Sequence, residues 1–196
     1  MVEIRTAVLS DLPGLYRVCQ FTADPAWPEG IPGTNPDLLG HVYAGPYAVH
    51  SPDLAGVVAD SEGVAGYILG CADTDAFSAW CEREWWPRLR EQYPRGSGSE
   101  QDREAIELFY ARPEVPQQVL AEFPAHLHID LLPRLQGTGA GRVLMEWLLS
   151  RLRARGVTGV HLGVSAANTN AIGFYEHLGF ATFWSDQDGR LMTRTL

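Results

Sequence analysis

Residues 134–142 read RLQGTGAGR, with glycines at Gly137, Gly139 and Gly141 and an apolar helical pattern directly after them. Glycine reaches backbone angles that other residues avoid, so successive N–H groups can turn toward one ligand. The helix that follows adds unpaired N–H groups and the positive end of its dipole. This stretch therefore offers anion binding, with phosphate the usual guest. The plain alternative is a turn that lets helix and strand pack closely, which rarely needs three glycines so near together.

Just upstream, AHLHIDLL carries His126, His128 and Asp130 at alternate positions, so a strand places all three on one face. Imidazole and carboxylate side chains in that arrangement offer proton transfer. Asp130, acting directly or through water, is the leading candidate base and His128 the second, with water itself as the remaining alternative. The plain alternative is a face packed against a helix, with Asp130 hydrogen-bonded and inert. Two histidines and an aspartate could also hold zinc, but neither a fourth ligand nor an HExxH helix accompanies them, so no metal is expected. Ser165 in GVSAA lacks the closing glycine of a nucleophile elbow and reads as a polar turn residue. Cys71 and Cys81 read as small buried hydrophobes.

The elements that must position these groups alternate between short strands and helices. MVEIRTAV starts as a strand, and a helix capped by Ser10 or Asp11, with Pro13 in its first turn, ends near Thr22. Residues 24–52 are rich in Pro and Gly and read as ordered loop with at most one short helix. LAGVVAD and VAGYILGCADT form two strands joined by a tight turn at SEG. Residues from about 75 to 122 form a helical insert, with AFSAWCEREWWPRLREQY and QDREAIELFYA as two helices separated by GSGS. The insert either builds a substrate site or buttresses the core with Trp80, Trp85 and Trp86. AHLHIDLL is a strand running into the glycine stretch.

The next helix stacks Val143, Leu144, Trp147, Leu148 and Leu152 on one face. Arg151, Arg153 and Arg155 suit its C-terminal end and Gly156 its stop. GVHLGVS is a strand. NTNAIGFYEHL is a helix capped by Asn168 or Thr169, with Ala171, Phe174, Tyr175 and Leu178 on one face and Gly179 as stop. FATFW and RLMTRTL complete the sheet. With no internal repeat and no linker, residues 1–196 read as one mixed α/β domain.

Composition narrows the function classes. A chain of 196 residues with 45% hydrophobic and 20% charged content can bury a full core. No signal-peptide pattern opens it, and its greasiest segments, such as VLMEWLLS, are short and charged. Three cysteines fit neither a disulfide framework nor a zinc ribbon, so a cytoplasmic protein without a membrane partner is expected. The formal net charge of −9 argues against a nucleic-acid partner.

Spacing then decides between phosphate ligands. A P-loop needs Lys and then Ser or Thr after its last glycine, where this chain has Arg142 and Val143. A Rossmann fingerprint fails because Arg142 stands where its third glycine belongs, and no acidic residue ends GVHLGVS to hold a ribose. Gln136-x-x-Gly139-x-Gly141 after Leu131-Leu132-Pro133 resembles the acyl-CoA loop of the GNAT superfamily of N-acetyltransferases, whose signature is Q/R-x-x-G-x-G/A. Asn168-x-x-Ala171-x-x-Phe174-Tyr175-x-x-x-Gly179-Phe180 is similar to that family's downstream motif, at the expected distance. LAGVVADSEGVAGYILGCADTDAF, WWPRLREQYP and FPAHLHIDLL look like the acetyltransferase-like C-terminal domain of animal O-GlcNAcases and its free-standing bacterial relatives. That resemblance covers most of the chain from about Leu54 onward. The animal domain has lost the glycine loop and is regarded as a pseudo-acetyltransferase, whereas this chain keeps the loop.

The resemblance implies a GNAT fold: a central, mostly antiparallel twisted sheet of about seven strands flanked by helices, with the helical insert between strands 3 and 4. It implies acetyl-CoA as acyl donor and direct attack by a primary amine of a small molecule, peptide or protein in a ternary complex. Pyrophosphate would rest on Gly137, Thr138, Gly139, Ala140, Gly141 and Arg142, with Gln136 opening the motif. The backbone of Leu131 and Leu132 would pair with the pantetheine arm, and Asn168 would contact it. Tyr175, which periodicity alone reads as a core residue, matches the tyrosine that protonates the leaving thiolate. Homodimers are common in the family. The alternative expectation is a catalytically weak or inactive module that binds acetyl-CoA or peptide. Substrate-facing residues are expected among Trp27, Glu29, Tyr43, Tyr47, His50, Asp73 and Asp75 and in the tryptophans of the insert.

Overall fold

A computed structural model describes residues 3–23, 30, 32–111 and 114–196. Trp27 and Glu29 lie outside the described residues. Seven strands form one sheet: β1 (Glu3–Thr6), β2 (Ala55–Asp60), β3 (Gly63–Cys71), β4 (Ala125–Leu131), β5 (Gly159–Ser165), β6 (Ala181–Ser185) and β7 (Gly189–Thr195). Their spatial order is β1-β2-β3-β4-β5-β7-β6, and every pair is antiparallel except β4 and β5. This is the mixed α/β sheet that the alternation of elements implies.

Period-2 alternation divides β3 between two helical layers. A Cβ built on Gly56 or Gly70 would meet Trp147 and Leu148 of α8 (Ala140–Ala154), so that side of the sheet carries α8. Leu144, Leu148 and Leu152 are fully buried there, each contributing about 1.5–3 kcal/mol. Val143, expected in the same stack, is 49% exposed, because the buried stripe runs through Leu144, Met145, Leu148 and Leu149 instead. Tyr67 and Cys71 project to the other face, beneath α1 (Leu12–Thr22), α2 (Leu38–Tyr43) and α3 (Gly45–His50).

Three expectations change. Asp11 precedes α1 but makes no cap bond, because its carboxylate accepts two bonds from Arg5, at 2.6 and 2.9 Å, and one from the Val8 N–H. The Pro- and Gly-rich stretch contains two helices rather than at most one, since α2 and α3 gain their stability by burying Leu38, Val42 and Tyr47. The insert holds α4 (Thr74–Trp80), a π turn over residues 81–85, α5 (Trp86–Gln92), α6 (Glu100–Glu107) and an unanticipated α7 (Gln117–Glu122). Within it Trp86 is buried and stacked on Phe109, while Trp80 and Trp85 stack on each other and Trp85 Nε1 donates to the His41 carbonyl. Those contacts are a buttress. Among the described residues no helix is long and apolar enough to cross a membrane.

Candidate active site

The functional region begins where β4 and β5 part. They pair only at Ala125↔Val160 and His126↔His161, although β4 stays paired to β3 as far as Leu131. Beyond His126 a wedge opens between the two strands, edged by backbone groups. The β3–β4 register runs without a bulge from Gly66↔Leu131 to Cys71↔His126, so the alternation along β4 is regular. The Leu132 N–H donates to Ala65 O at 2.9 Å, on the β3 side. By alternation the amides of Ile129 and Leu131 face the wedge. The Leu131 carbonyl there already accepts from Gln136 Nε2 at 3.0 Å.

The glycine stretch closes the end of the wedge. Gly137 and Gly139 have φ of 73° and 89°, the left-handed region that favours glycine, and a Cβ at either would meet nothing within 4 Å. Gly141 differs. Its built Cβ would lie 3.2 Å from Phe174 Cζ, so this glycine serves close packing against α9 (Thr169–His177). Thr138 Oγ1 donates to the Leu135 carbonyl at 2.7 Å and pins the turn. The first bond of α8 runs from the Val143 N–H to Gly139 O, and this leaves the amides of Gly141 and Arg142 without i−4 acceptors. Ala140 is buried, and the Arg142 side chain is exposed. Gly137 and Gly139 thus provide the unobstructed backbone cradle that a phosphate needs, at the N-terminus of a 15-residue helix. The residues present fit an acyl-CoA pyrophosphate. A cleft of about 400 Å³ lined by Arg17, Phe21, Glu62, Leu132, Pro133 and Arg134 lies beside the start of this loop.

Asn168 caps α9, its Oδ1 accepting from the Ala171 N–H at 3.1 Å. Tyr175, on that helix, is 8% exposed and packs against Phe174 and Phe180. Its hydroxyl makes no hydrogen bond among the described residues, yet it is not a sealed polar atom. Burial raises the phenol's pKa, and the charge of Asp130 adds to that shift. Tyr175 is therefore a protonated donor without an acceptor among the described residues.

Asp130 sits on the helical face opposite α8. Tyr67 donates its hydroxyl to Asp130 Oδ2 at 2.5 Å. Burial pushes the carboxyl above the usual carboxylate range, while the Tyr67 and Thr22 hydroxyls pull it partly back. His126 and His128 share this face, and the buried Tyr47 hydroxyl lies 2.7 Å from His126 Nε2 and 3.0 Å from His128 Nε2. Among the described residues no cluster of three or more His, Cys, Asp or Glu could hold a metal ion.

The other candidates lie further out. Tyr43 meets His128 edge-on, His50 bonds Ser51 and packs on Phe77, and Asp73 caps α4 through the Ala76 N–H. Asp75 is exposed. Ser165 accepts from the Ala167 N–H, as a turn residue does. Burial pushes the Cys19 and Cys71 thiols up to about 12, which keeps them inert. Tyr67 and Thr74 are not legible as site residues, because each reaches β4 from a distant part of the chain, while Tyr47, expected to face substrate, lies fully buried with its hydroxyl beside His126 and His128. For Tyr67 the signal would have been the strand register, which pairs it with Asp130.

Three comparisons bear on this arrangement. The acetyltransferase (GNAT) family model matches residues 47–180. Protein O-GlcNAcase of Rattus norvegicus is 30% identical over 181 residues, 90% of this chain, and the chain spans about a fifth of the length of that relative. The crystal structure of SsHAT superposes with a TM-score of 0.88 at 37% identity, covering 99% of this chain and 98% of that one. The PaiA N-acetyltransferase of Thermoplasma acidophilum, solved in complex with coenzyme A, shares the fold at a TM-score of 0.60 and 13% identity, covering 100% and 99%.

Proposed function

The chain belongs to the GNAT family of acetyltransferases, and on that premise we propose that it transfers acetyl to a primary amine of a small molecule, peptide or protein by direct attack in a ternary complex. The observation that carries this reading is Tyr175, a buried phenol whose hydroxyl has no protein acceptor among the described residues. Because that hydroxyl is not sealed within the core, it is open to a ligand while its ring stays packed between Phe174 and Phe180.

Acetyl-CoA supplies the activated acyl group and, once the amine has attacked, a departing thiolate. The amides around Gly137, Gly139 and Gly141 would hold its pyrophosphate, and those of Ile129 and Leu131 would lie along the pantetheine arm. Asn168 would add a contact through the amide nitrogen that its cap leaves over. An N–H at the wedge polarises the carbonyl. Asp130, raised by burial yet held ionisable by Tyr67, takes a proton from the amine. Tyr175 stays protonated well into the alkaline range and gives its proton to sulfur. Holding both reactants in one wedge removes most of the entropic barrier to attack.

A second reading is supported by the relationship to O-GlcNAcase: a module that binds acetyl-CoA or peptide without effective turnover. Calorimetric titration with acetyl-CoA, followed by a thiolate-release assay over a panel of amines, separates the two. Micromolar binding with release on some amine supports transfer. Binding without release from any amine supports the module, and no binding rejects both acetyl-CoA readings.

A further inference from the structure

Strand register carries the face of Asp130 across to the far edge of the sheet. His126 shares that face of β4 and pairs with His161 on β5, so alternation puts Gly163 and Ser165 there as well. Opposite them on β7 stand Leu191 and Gly189. On β6 the register slips between Thr182 and Trp184, which leaves Phe183 as the extra residue of a β-bulge and sets Trp184 against Leu191. Without that bulge Phe183 would oppose Leu191, and Trp184 would oppose Arg190 on the α8 side. The bulge therefore turns the indole to the face of Asp130. Helices α1 and α3 pack on β3 and β4, but the strip beyond them is open. Gly163 and Ser165 are exposed, a Cβ on Gly163 would meet nothing within 4 Å, and Trp184 is 54% exposed. Asp186 and Asp188, in the turn that joins β6 to β7, are exposed beside it.

We propose that this strip seats an extended basic peptide whose amine reaches Asp130, and that Trp184 is the residue that selects it. This rests on the proposed acetyl transfer. The inner end of the strip meets the wedge, where the buried Tyr175 hydroxyl has no partner among the described residues. A site for a small molecule is concave and encloses most of its ligand, whereas this floor is flat and open. Glycine at position 163 lets a second backbone lie close to the sheet. At the outer end the exposed indole offers its face to a lysine or arginine cation. Asp186, Asp188 and the net charge of −9 complement the same cation. From β4 across β5 and β7 to β6 is three strand spacings of about 4.8 Å, roughly 15 Å in all. An extended chain covers that in about four or five residues.

The test compares kcat/KM on amidated peptides of increasing length, with Lys and Arg at varied positions, against simple monoamines. Free and blocked N-termini tell an α-amine from a lysine side chain. In the wild type kcat/KM is expected to rise with length, level off at about five residues, and be highest with a basic residue far from the amine. Trp184→Ala should lower it by about 10-fold or more on five-residue peptides, through KM, and flatten the rise with length, while Trp184→Phe recovers part of the loss. Gly163→Val, whose side chain would enter the strip, should act like Trp184→Ala. The Kd for acetyl-CoA should match the wild type in each variant, which shows that it is folded. Monoamines as good as five-residue peptides would overturn the peptide acceptor. A rise with length that survives Trp184→Ala would overturn the role of Trp184. A wild-type dimer that Trp184→Ala dissociates in sedimentation would show that a second copy of the chain covers the strip, and would also overturn the proposal. Should acetyl-CoA bind but no amine react, the proposed transfer fails, and binding of fluorescein-labelled five-residue peptides decides the strip separately. Binding that Trp184→Ala abolishes keeps it as a peptide surface, and no binding overturns it too.

Discussion

Tyr67 and Asp130 face each other across the β3–β4 ladder, and the phenol donates to the carboxylate at 2.5 Å. Two opposed influences meet in that bond. Burial disfavours the Asp130 anion, while the hydroxyl stabilises it, and burial is the larger. The result is a carboxyl raised toward the range in which a base is useful, anchored by a phenol that is itself wholly buried.

Removing that anchor should move the pH dependence in a defined direction. Tyr67→Phe deletes a bond that favours the anion, so the acid limb of the kcat profile should shift to higher pH. Asp130→Asn should lower turnover by about 100-fold or more and abolish that limb. An unaltered profile in either variant would reject Asp130 as the base. Because the folded-state pKa of Asp130 lies above its unfolded value, its contribution to stability is full below the ordinary carboxylate pKa. That contribution is lost as the pH rises through the raised value. Asp130→Asn should therefore be at least as stable as the wild type at neutral pH in chemical denaturation.

Tyr175→Phe keeps the ring among Phe174 and Phe180 and removes only the hydroxyl. Turnover should fall by about 100-fold, while the calorimetric Kd for acetyl-CoA stays within about twofold. Equal turnover in variant and wild type would mean that the thiolate leaves without this proton.

Gly139→Ala tests the cradle. The left-handed φ of 89° should cost about 1–2 kcal/mol, and the new methyl would project into the open space above the loop. Acetyl-CoA affinity should drop by about 10-fold or more while Tm falls by only a few degrees. Calorimetry showing native affinity would place the pyrophosphate elsewhere.

Asp11→Asn probes the ion pair beneath α1. Arg5 holds the Asp11 carboxyl below the usual range, so its stabilisation is present above the ordinary carboxylate pKa and fades as the pH falls through the lowered value. The variant should lose about 1 kcal/mol at neutral pH and progressively less as the pH drops below about 4. Urea midpoints across that range check it, and a constant difference would contradict the assignment.

The sequence by itself determined the parts that local chemistry encodes. Alternation in AHLHIDLL, the positive-φ glycines and the Asn168 cap each depend on near neighbours, so the strand, the loop and α9 appear where spacing puts them. The same locality explains why two motifs sufficed for the family. What only the tertiary structure decided are relationships between segments far apart in the chain. Strand register set Tyr67 against Asp130, and helix packing brought Tyr47 onto His126 and His128 across about 80 residues. Close approach to Phe174 gave Gly141 a packing role distinct from the open geometry of Gly137 and Gly139. Burial of Leu38 and Val42 turned a Pro- and Gly-rich loop into helices. Helix propensity and capping act over a few residues, whereas pKa values and proton paths depend on desolvation and on partners that only the folded chain supplies.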